Sequence, residues 1–325
     1  MKNTYLITGG AGFIGSHLID RLLLFESNST VINVDNFDPA YSEKIKQENL
    51  HLHRKFPNCK MYIVSITDYE SLRKVFEVNP KITHIVHFAG QSGNRLSLDN
   101  PQEYFNINVN GTVNLLNLAK EYRVPKFIFA SSCSVYGFQE KTPFAEDMNT
   151  DMPISPYAAS KSACERICYT YSHLYGIKTY CLRLFSVYGP RQNPDKVIHK
   201  FLRQIAEGRS VSLFGDGSAS RDYTYIDDAV NGILSALEYE DSEFDILNIG
   251  TSKPVSLKEL VCIIEEKMEK QAIIERRFLN ASEIPVTCAD ISRAKNILGY
   301  NPSISIEQGI EYFVDWFKAF YSYVV

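Results

Sequence analysis

In Tyr5-Leu6-Ile7-Thr8-Gly9-Gly10-Ala11-Gly12-Phe13-Ile14-Gly15, an apolar strand runs into a glycine-rich loop, and a helical pattern from Ser16 to Phe25 follows. Glycines at this spacing permit a tight turn, close approach of the backbone to a pyrophosphate, and close packing of helix on strand. The N-terminus of such a helix presents unpaired N–H groups and the positive end of its dipole to phosphates. The stretch therefore predicts a dinucleotide site; the alternative is a glycine-rich turn that holds no ligand.

The second apolar strand indicates which dinucleotide is bound. It runs from Val31 to Val34 and ends in Asp35, 20 residues after Gly15. An acid at this position accepts hydrogen bonds from both ribose hydroxyls of NAD and repels the 2′-phosphate of NADP. Asn36, and not an arginine, follows it. We therefore expect NAD as the cofactor.

Strand and helix patterns alternate along the first 185 residues. Further strands are predicted at 60–64, 82–88, 127–130 and 179–184, and helices at 68–78, 104–122 and 157–175. This alternation predicts an α/β fold with a doubly wound parallel sheet of the Rossmann type. Ligands of such sheets gather at the carboxyl ends of the strands, where Ser131, Ser132 and Ser134 follow the strand at 127–130. These serines either bind a ligand hydroxyl or merely end the strand.

The candidate chemistry lies in Ser155-Pro156-Tyr157-Ala158-Ala159-Ser160-Lys161. Pro156 can begin a helix, and the four-residue spacing then places Tyr157 and Lys161 on one helix face. A free phenol has a pKa of about 10, and a fixed ammonium group nearby favours the phenolate. The pair therefore predicts a base that works near neutral pH. The Tyr-x-x-x-Lys pattern is weak by itself, because it recurs by chance on many helices.

The composition is that of an ordinary globular protein. A net charge of −4 and the lack of a basic tract give no reason to expect a nucleic-acid partner. No run of 18 apolar residues predicts a membrane span, and residues 1–9 lack the apolar region of a signal peptide. The seven cysteines form no Cys-x-x-Cys pair. We expect reduced thiols in a cytoplasmic protein, with no metal site.

Together these motifs resemble the extended short-chain dehydrogenases/reductases, in particular the NAD-dependent nucleotide-sugar epimerases and dehydratases. The resemblance spans essentially the whole chain and is carried by residues 8–15, 35–36, 87–90, 106–112, 131–137, 157–161, 182–190, 214–217, 220–223, 225–229 and 289–295. It implies an NAD-binding Rossmann domain at 1–185, to which 221–245 return. A smaller C-terminal domain, mainly 186–325, would bind the nucleotide sugar.

The resemblance also implies a role for each part of the site. Tyr157 would be the general base and acid, Lys161 would bind the nicotinamide ribose and lower the Tyr157 pKa, and Ser132 would be the catalytic hydroxyl. The further cofactor contacts implied are Gly9, Gly12, Phe13, Ile14, Gly15, Asp35, Asn36, Ser65, Ile66, Phe88, Ala89, Gly90 and Asn108. The implied substrate contacts are Gln91, Arg95, Cys133, Ser134, Ser186, Arg191, Val211, Phe214, Arg221 and Glu283, with Arg221 at the diphosphate and residues 211–214 along the uridine.

The implied reaction is 4-epimerisation of a UDP-hexose through a transient 4-keto sugar, with NAD retained on the enzyme. The members that the chain resembles most are UDP-glucuronate 4-epimerase-like and UDP-glucose 4-epimerase-like. The resemblance further implies a cytoplasmic homodimer, paired through the helices at 104–122 and 157–175, that serves cell-surface polysaccharide biosynthesis.

Several positions depart from the UDP-glucuronate 4-epimerase pattern. Cys133 replaces a hydroxyl residue, Asn193 replaces an arginine that would meet the glucuronate carboxylate, and Ser65 replaces an acid near the adenine. The loop at 91–95 also differs, and its Arg95 either restores the missing charge or is a solvated loop residue. UDP-glucuronate, UDP-glucose and UDP-N-acetylhexosamine therefore all stay open as substrates.

Two other functions also stay open. One is a redox isomerase, a C5-modifying or a dehydratase-like enzyme acting on a UDP-amino-sugar intermediate, although Ser132-Cys133-Ser134 lacks the acid pair of an ordinary 4,6-dehydratase. The other is a non-catalytic NAD-binding regulatory module. The complete set of Ser132, Tyr157 and Lys161 argues against the module, because a sensor needs no phenol with a depressed pKa.

Overall fold

The computed structural model describes residues 3–26, 28–277 and 284–324. Its strands are β1 (Thr4–Thr8), β2 (Thr30–Asp35), β3 (Cys59–Ile63), β4 (His84–His87), β5 (Lys126–Ser132), β6 (Lys178–Leu184), β7 (Ser186–Tyr188), β8 (Ser210–Phe214), β9 (Ser220–Tyr225), β10 (Phe244–Ile249), β11 (Pro254–Ser256) and β12 (Ile273–Arg277). Its helices are α1 (Phe13–Phe25), α2 (Glu43–Asn49), α3 (Tyr69–Val78), α4 (Leu96–Asp99), α5 (Pro101–Tyr104), α6 (Gly111–Glu121), α7 (Pro156–Tyr175), α8 (Val197–Ala206), α9 (Ile226–Glu238), α10 (Leu257–Met268), α11 (Ser292–Leu298) and α12 (Ile306–Val324).

Seven strands form one parallel sheet in the order β10-β6-β5-β4-β1-β2-β3. The chain first builds outward from β1 to β2 and β3, then returns to the other side of β1 with β4, β5 and β6. The predicted doubly wound sheet of the Rossmann type is confirmed. Because ligands bind where the strand order reverses, the crevice of this sheet lies between the ends of β1 and β4, next to the glycine loop.

Two smaller sheets come from the later part of the chain. The strands β7, β9 and β11 form one, and β8 pairs with β12 in the other. Asp222 on β9 is fully buried, and its carboxylate accepts hydrogen bonds from the backbone N–H groups of Thr251, Ser252 and Ala289 at 2.8–3.0 Å. This carboxylate joins β9 to the segments that follow β10.

Apolar side chains cover both faces of the large sheet. Successive residues of a strand point to opposite faces, so Ile7 packs with α1 residues such as Leu18, whereas Leu6 packs with Leu72 and Leu115 of α3 and α6. All seven cysteines are free, and Cys164, Cys168 and Cys181 are buried in the second of these clusters. Within the described ranges, no helix combines the length and the apolar character needed to cross a membrane.

The helix predicted at 104–122 is not continuous. Between α5 and α6 lies a π-helical turn, Phe105–Asn110. Its Asn108 side chain accepts a hydrogen bond from the Gln91 N–H (2.8 Å) and donates to the Gln91 carbonyl (3.1 Å) and to the Ser160 hydroxyl (2.9 Å). Such turns are frequent at functional sites. Here the turn lets one buried amide hold the loop after β4 against α7, which a regular apolar spacing does not reveal.

Candidate active site

A cleft of about 570 Å³ lies at the carboxyl ends of β1, β4 and β5. The glycine loop, the loop after β4, the end of β5 and the start of α7 form one side, and segments 184–187, 192–197 and 221–223 contribute to its lining. Fifteen of the predicted site residues line it: Gly9, Gly12, Phe13, Ile14, Gly15, Phe88, Gly90, Gln91, Ser132, Cys133, Ser134, Tyr157, Lys161, Ser186 and Arg221.

The glycine loop fits the pyrophosphate of a dinucleotide. Gly9 has a φ of +71°, and a Cβ there would lie 2.8 Å from the Ala89 nitrogen, so only glycine suits the position. At Gly15 a Cβ would overlap the Gly9 carbonyl oxygen. The helix α1 begins at Phe13 without a side-chain cap. Its first N–H groups are therefore available to an anion in the cleft.

Asp35 stands at the end of β2, next to the glycine loop. Its carboxylate accepts hydrogen bonds from the Ala11 N–H (3.0 Å) and the Phe37 N–H (2.8 Å), and burial raises its pKa. Asn36 follows it, Ser65 and Ile66 come after β3, and Ala89 comes after β4. None of these four residues lines the cleft, and neither do Asp35 and Asn108. All but Asn108 follow or end strands along the same edge of the sheet, whereas Asn108 lies in the turn between α5 and α6.

Tyr157 and Lys161 lie on one face of α7, as predicted. Ser155 caps this helix by accepting a hydrogen bond from the Ala158 N–H (3.1 Å), and its own hydroxyl donates to Asn94 (2.8 Å). The Ser132 side chain hydrogen-bonds that of Tyr157 and accepts from the Ser134 N–H (3.1 Å). These contacts place the three predicted catalytic side chains in one wall of the cleft.

The protein by itself does not activate the phenol. Burial raises the pKa of Tyr157 to about 12, and the hydrogen bond with Ser132 only partly offsets this. The Lys161 ammonium donates to the Ala130 carbonyl (2.8 Å), and burial lowers the pKa of Lys161. Burial is the largest cause of the Tyr157 shift, so the lowering of this pKa by Lys161 stays a prediction for the enzyme with NAD bound.

Cys133 lines the cleft between Tyr157 and Arg221. Burial raises the pKa of its thiol to about 12, although the positive charge of Arg221 acts in the opposite direction. The thiol is therefore protonated at neutral pH. Cys133 consequently brings no charge to the cleft.

Several predicted substrate contacts do not line the cleft. The Arg191 guanidinium is held by Asp20 on α1 at 2.7 Å and lies 3.4 Å from the Ser16 hydroxyl. Arg95 is exposed just before α4, Val211 is fully buried in the core and Phe214 ends β8 outside the lining. Glu283 lies outside the described residues. Ion pairing and core packing decide these positions, and neither follows from motif spacing.

Asp20 provides a test of the contact between α1 and the Arg191 segment. Burial alone would raise its pKa, but His53 and Arg191 outweigh it and hold the pKa below its usual value. A carboxyl with a lowered folded-state pKa stabilises above its unfolded pKa, and this stability is lost as the pH falls through the folded value. We expect Asp20→Asn to lower the free energy of unfolding by about 1–3 kcal/mol at pH 7. In urea titrations the difference should shrink below about pH 4; a constant difference would exclude the ion pair as its cause.

Several residues that line the cleft were not among those predicted from the sequence. They include Ser92 and Asn94 in the loop after β4, Lys196 before α8, and Tyr223 on β9. For Lys196, the sequence offered one sign of a role in the cleft: a basic residue that lies only three positions after Asn193.

Comparison with known proteins agrees with this geometry. Residues 5–250 match the model of the NAD dependent epimerase/dehydratase family. UDP-glucuronate 4-epimerase of Thermodesulfobacterium geofontis is 41% identical over 317 residues, which are 97% of this chain and 96% of that protein.

Two solved structures share the fold over almost their whole length. One is UDP-glucuronic acid 4-epimerase from Bacillus cereus in complex with UDP-glucuronic acid and NAD, with a TM-score of 0.91, 33% identity, and coverage of 98% of this chain and 100% of that one. The other is UDP-glucose 4-epimerase from Thermotoga maritima with UDP-glucose, with a TM-score of 0.87, 32% identity, and coverage of 98% and 99%. The resemblance and the NAD cofactor predicted from the sequence are thereby confirmed: the chain belongs to the NAD-dependent epimerase/dehydratase family.

Proposed function

We propose that the chain is an NAD-dependent 4-epimerase that acts on a UDP-hexose through a transient 4-keto sugar. The observation that carries the proposal is one cleft in which Ser132, Tyr157 and Lys161 face the glycine loop. Relatives that are UDP-sugar 4-epimerases, with UDP-sugar or NAD in their structures, support it.

The cofactor is held by groups along the edge of the sheet. The glycine loop would hold the pyrophosphate, Asp35 the adenosine ribose and Lys161 the nicotinamide ribose. NAD⁺ supplies the hydride acceptor for the sugar and, once reduced, the donor for its return. Asn108 holds the Gln91 backbone against α7 and so keeps the loop after β4 in place.

The protein's own residues move one proton. Tyr157 removes the proton from the 4-hydroxyl of the sugar and later returns it to the 4-keto oxygen, while the Ser132 hydroxyl hydrogen-bonds the same oxygen. The hydride would return to C4 on the opposite face of the ring, and this inverts the configuration of that carbon. A cation beside the buried phenol favours this step, because burial is the largest cause that raises the phenol pKa to about 12.

The substrate lies across the other side of the cleft. Arg221, whose guanidinium donates to the Ser220 carbonyl (2.8 Å), meets the diphosphate. Residues 186–325 form most of the nucleotide-sugar-binding domain, and 221–245 return to the NAD-binding domain at 1–185.

The protein is also proposed to be a cytoplasmic homodimer. Exposed apolar side chains on the two predicted pairing helices support the dimer: Phe105, Tyr169, Leu174 and Tyr175. Sedimentation at micromolar concentration should give twice the mass of the chain.

The cleft argues against chemistry at C5 or C6. Of its lining residues in the described part of the chain, Asp195 alone carries a carboxylate, and Cys133 is a protonated thiol. Proton abstraction at C5 with expulsion of the C6 hydroxyl needs a general acid and base in addition to Tyr157. A regulatory module would have no use for the complete set of Ser132, Tyr157 and Lys161.

The test is proton NMR of the protein with UDP-glucose, UDP-N-acetylglucosamine, UDP-glucuronate and their 4-epimers in D₂O. We expect at least one sugar to be converted to its 4-epimer without deuterium at C5. Deuterium at C5 or C6 would instead indicate enolisation of the keto sugar. No conversion of any of the six sugars would contradict the proposal.

Asp35 allows the cofactor assignment to be tested separately. Its carboxyl group is buried beside the glycine loop, where it can accept from the ribose hydroxyls. We expect Asp35→Ala to weaken NAD binding about 10- to 100-fold, because the hydrogen bonds to the ribose hydroxyls are lost. Calorimetric titration of apoprotein with NAD and with NADP measures this change. Unchanged NAD affinity would show that Asp35 does not bind the cofactor.

A further inference from the structure

The cleft contains three cations in the described part of the chain: Lys161, Lys196 and Arg221. Lys161 donates to the Ala130 carbonyl, and Arg221 donates to the carbonyls of Ser220 and Pro285. Under the proposed function these two meet the nicotinamide ribose and the diphosphate. Lys196 has no role in that scheme, although its ammonium group lies in the same cleft.

Contacts through Ser92 and Tyr104 link Lys196 to Tyr157. Its Nζ donates to the Ser92 hydroxyl at 3.1 Å. The Ser92 carbonyl accepts from the Tyr104 hydroxyl (3.2 Å), and the Tyr104 ring meets the Tyr157 ring edge-on with 6.2 Å between centroids. Two residues therefore connect the ammonium to the phenol. This path ties Lys196 to the wall of the cleft that holds Tyr157, the residue that would meet the 4-hydroxyl of the sugar.

Asn193 builds the turn that brings Lys196 into the cleft. Its side-chain oxygen accepts from the Asp195 N–H (2.9 Å), and its carbonyl accepts from the Lys196 N–H (3.0 Å). The helix α8 begins at the next residue, Val197. Asn193, which stands in place of an arginine, therefore shapes the loop that brings Lys196 into the cleft.

The local environment leaves the Lys196 ammonium short of partners. Its side chain is half-buried, and burial lowers its pKa, whereas the neighbouring Asp195 carboxylate acts in the opposite direction. Asp195 is exposed, and the one hydrogen bond described for Nζ is to a neutral hydroxyl. A carboxylate in the cleft would restore a charged partner to this group.

We propose that Lys196 binds the C6 carboxylate of a UDP-hexuronate and makes the enzyme select it over neutral UDP-hexoses. The carboxylate is bonded to C5, the carbon next to the reacting C4, so it reaches the same end of the cleft as the 4-hydroxyl. A neutral CH₂OH at that place leaves the partly desolvated ammonium without a counter-charge, which penalises the wrong substrate. Arg95 and Arg191 cannot serve instead, because one is outside the cleft lining and the other is paired with Asp20.

The test compares Lys196→Gln with Lys200→Gln, which removes an exposed lysine one turn further along α8. The readout is the ratio of kcat/KM for UDP-glucuronate to kcat/KM for UDP-glucose, measured on the NAD-loaded enzyme. We expect the ratio to exceed about 10 in the wild type and to fall about 10- to 100-fold in Lys196→Gln, as the loss of one charge-assisted hydrogen bond predicts. Lys200→Gln should keep the wild-type ratio.

Binding separates this inference from the proposed function. Calorimetric titration with UDP-glucuronate, UDP-glucose and UDP does not depend on turnover. Lys196→Gln should lose affinity for UDP-glucuronate and keep its affinity for UDP. Equal losses of affinity for all three ligands would indicate that Lys196 binds the diphosphate. Unchanged affinity for all three would show that Lys196 does not contact the ligand. Either result overturns the inference. An absence of epimerisation by the wild type would overturn the proposed function, and the titrations would still decide the role of Lys196.

Discussion

Tyr157→Phe is expected to lower kcat for 4-epimerisation by a factor of about 10² to 10⁴, the contribution that a positioned general base and acid usually makes. The phenylalanine ring fills the same space beside Tyr104 and removes only the hydroxyl that hydrogen-bonds Ser132. UDP affinity should therefore persist. The absorbance change on reduction of bound NAD in a single turnover measures the step in which Tyr157 takes the proton. Wild-type rates in this variant would exclude Tyr157 as the base.

The pH dependence provides a second measure of the same group. Burial raises the pKa of Tyr157 to about 12 in the protein alone, so the phenolate is the minor form at neutral pH. The positive charge of bound NAD⁺ would lower that pKa, and the rate should rise with pH until the phenol is ionised. We expect kcat/KM of the wild type to increase between pH 6 and pH 9. The residual activity of Tyr157→Phe should lack this increase.

Local spacing on regular elements predicted the residues at the centre of the candidate site. The glycine loop follows from three glycines between a strand and a helix, and the Tyr157–Lys161 pair follows from the repeat of one helix. Both depend on residues close together in the chain. The edge of the sheet then gathers Asp35 and Ser132 near them, because parallel strands end on the same side.

Contacts between distant segments decide what the sequence could not show. Arg191 turns away because Asp20 on α1 holds it, and Lys196 turns inward because Asn193 forms the preceding turn. The direction in which the Tyr157 pKa shifts is set by burial of the phenol, which four-residue spacing from Lys161 does not reveal. In each case the deciding partner is a packed neighbour, and a motif specifies no such neighbour.

A buried ion pair behind the catalytic wall joins three of the elements that build it. The Glu165 carboxylate on α7 accepts two hydrogen bonds from Arg183 on β6, at 2.8 and 3.0 Å, and both side chains are 3% exposed. Burial alone would lower the pKa of Arg183, but Glu165 outweighs it and the pKa is raised. Glu165 also accepts from the Ser131 hydroxyl at 2.5 Å, next to Ser132 on β5. This carboxylate therefore holds the Ser132 strand end against the Tyr157 helix.

Glu165→Leu is expected to lower the free energy of unfolding by about 3–5 kcal/mol, because it leaves the Arg183 guanidinium buried without a counter-charge. Removal of both charges in Glu165→Leu/Arg183→Met should recover more than half of that loss, since a buried pair and an apolar pair of similar volume are often equally stable. Arg166→Gln is the control on the same helix: its ion pair with Asp151 is more than half exposed, so its loss should cost less than about 1 kcal/mol. Urea denaturation of the three variants gives the comparison. A double variant as unstable as Glu165→Leu would show that the loss comes from altered packing around α7, and the unpaired Arg183 charge would then not be its cause.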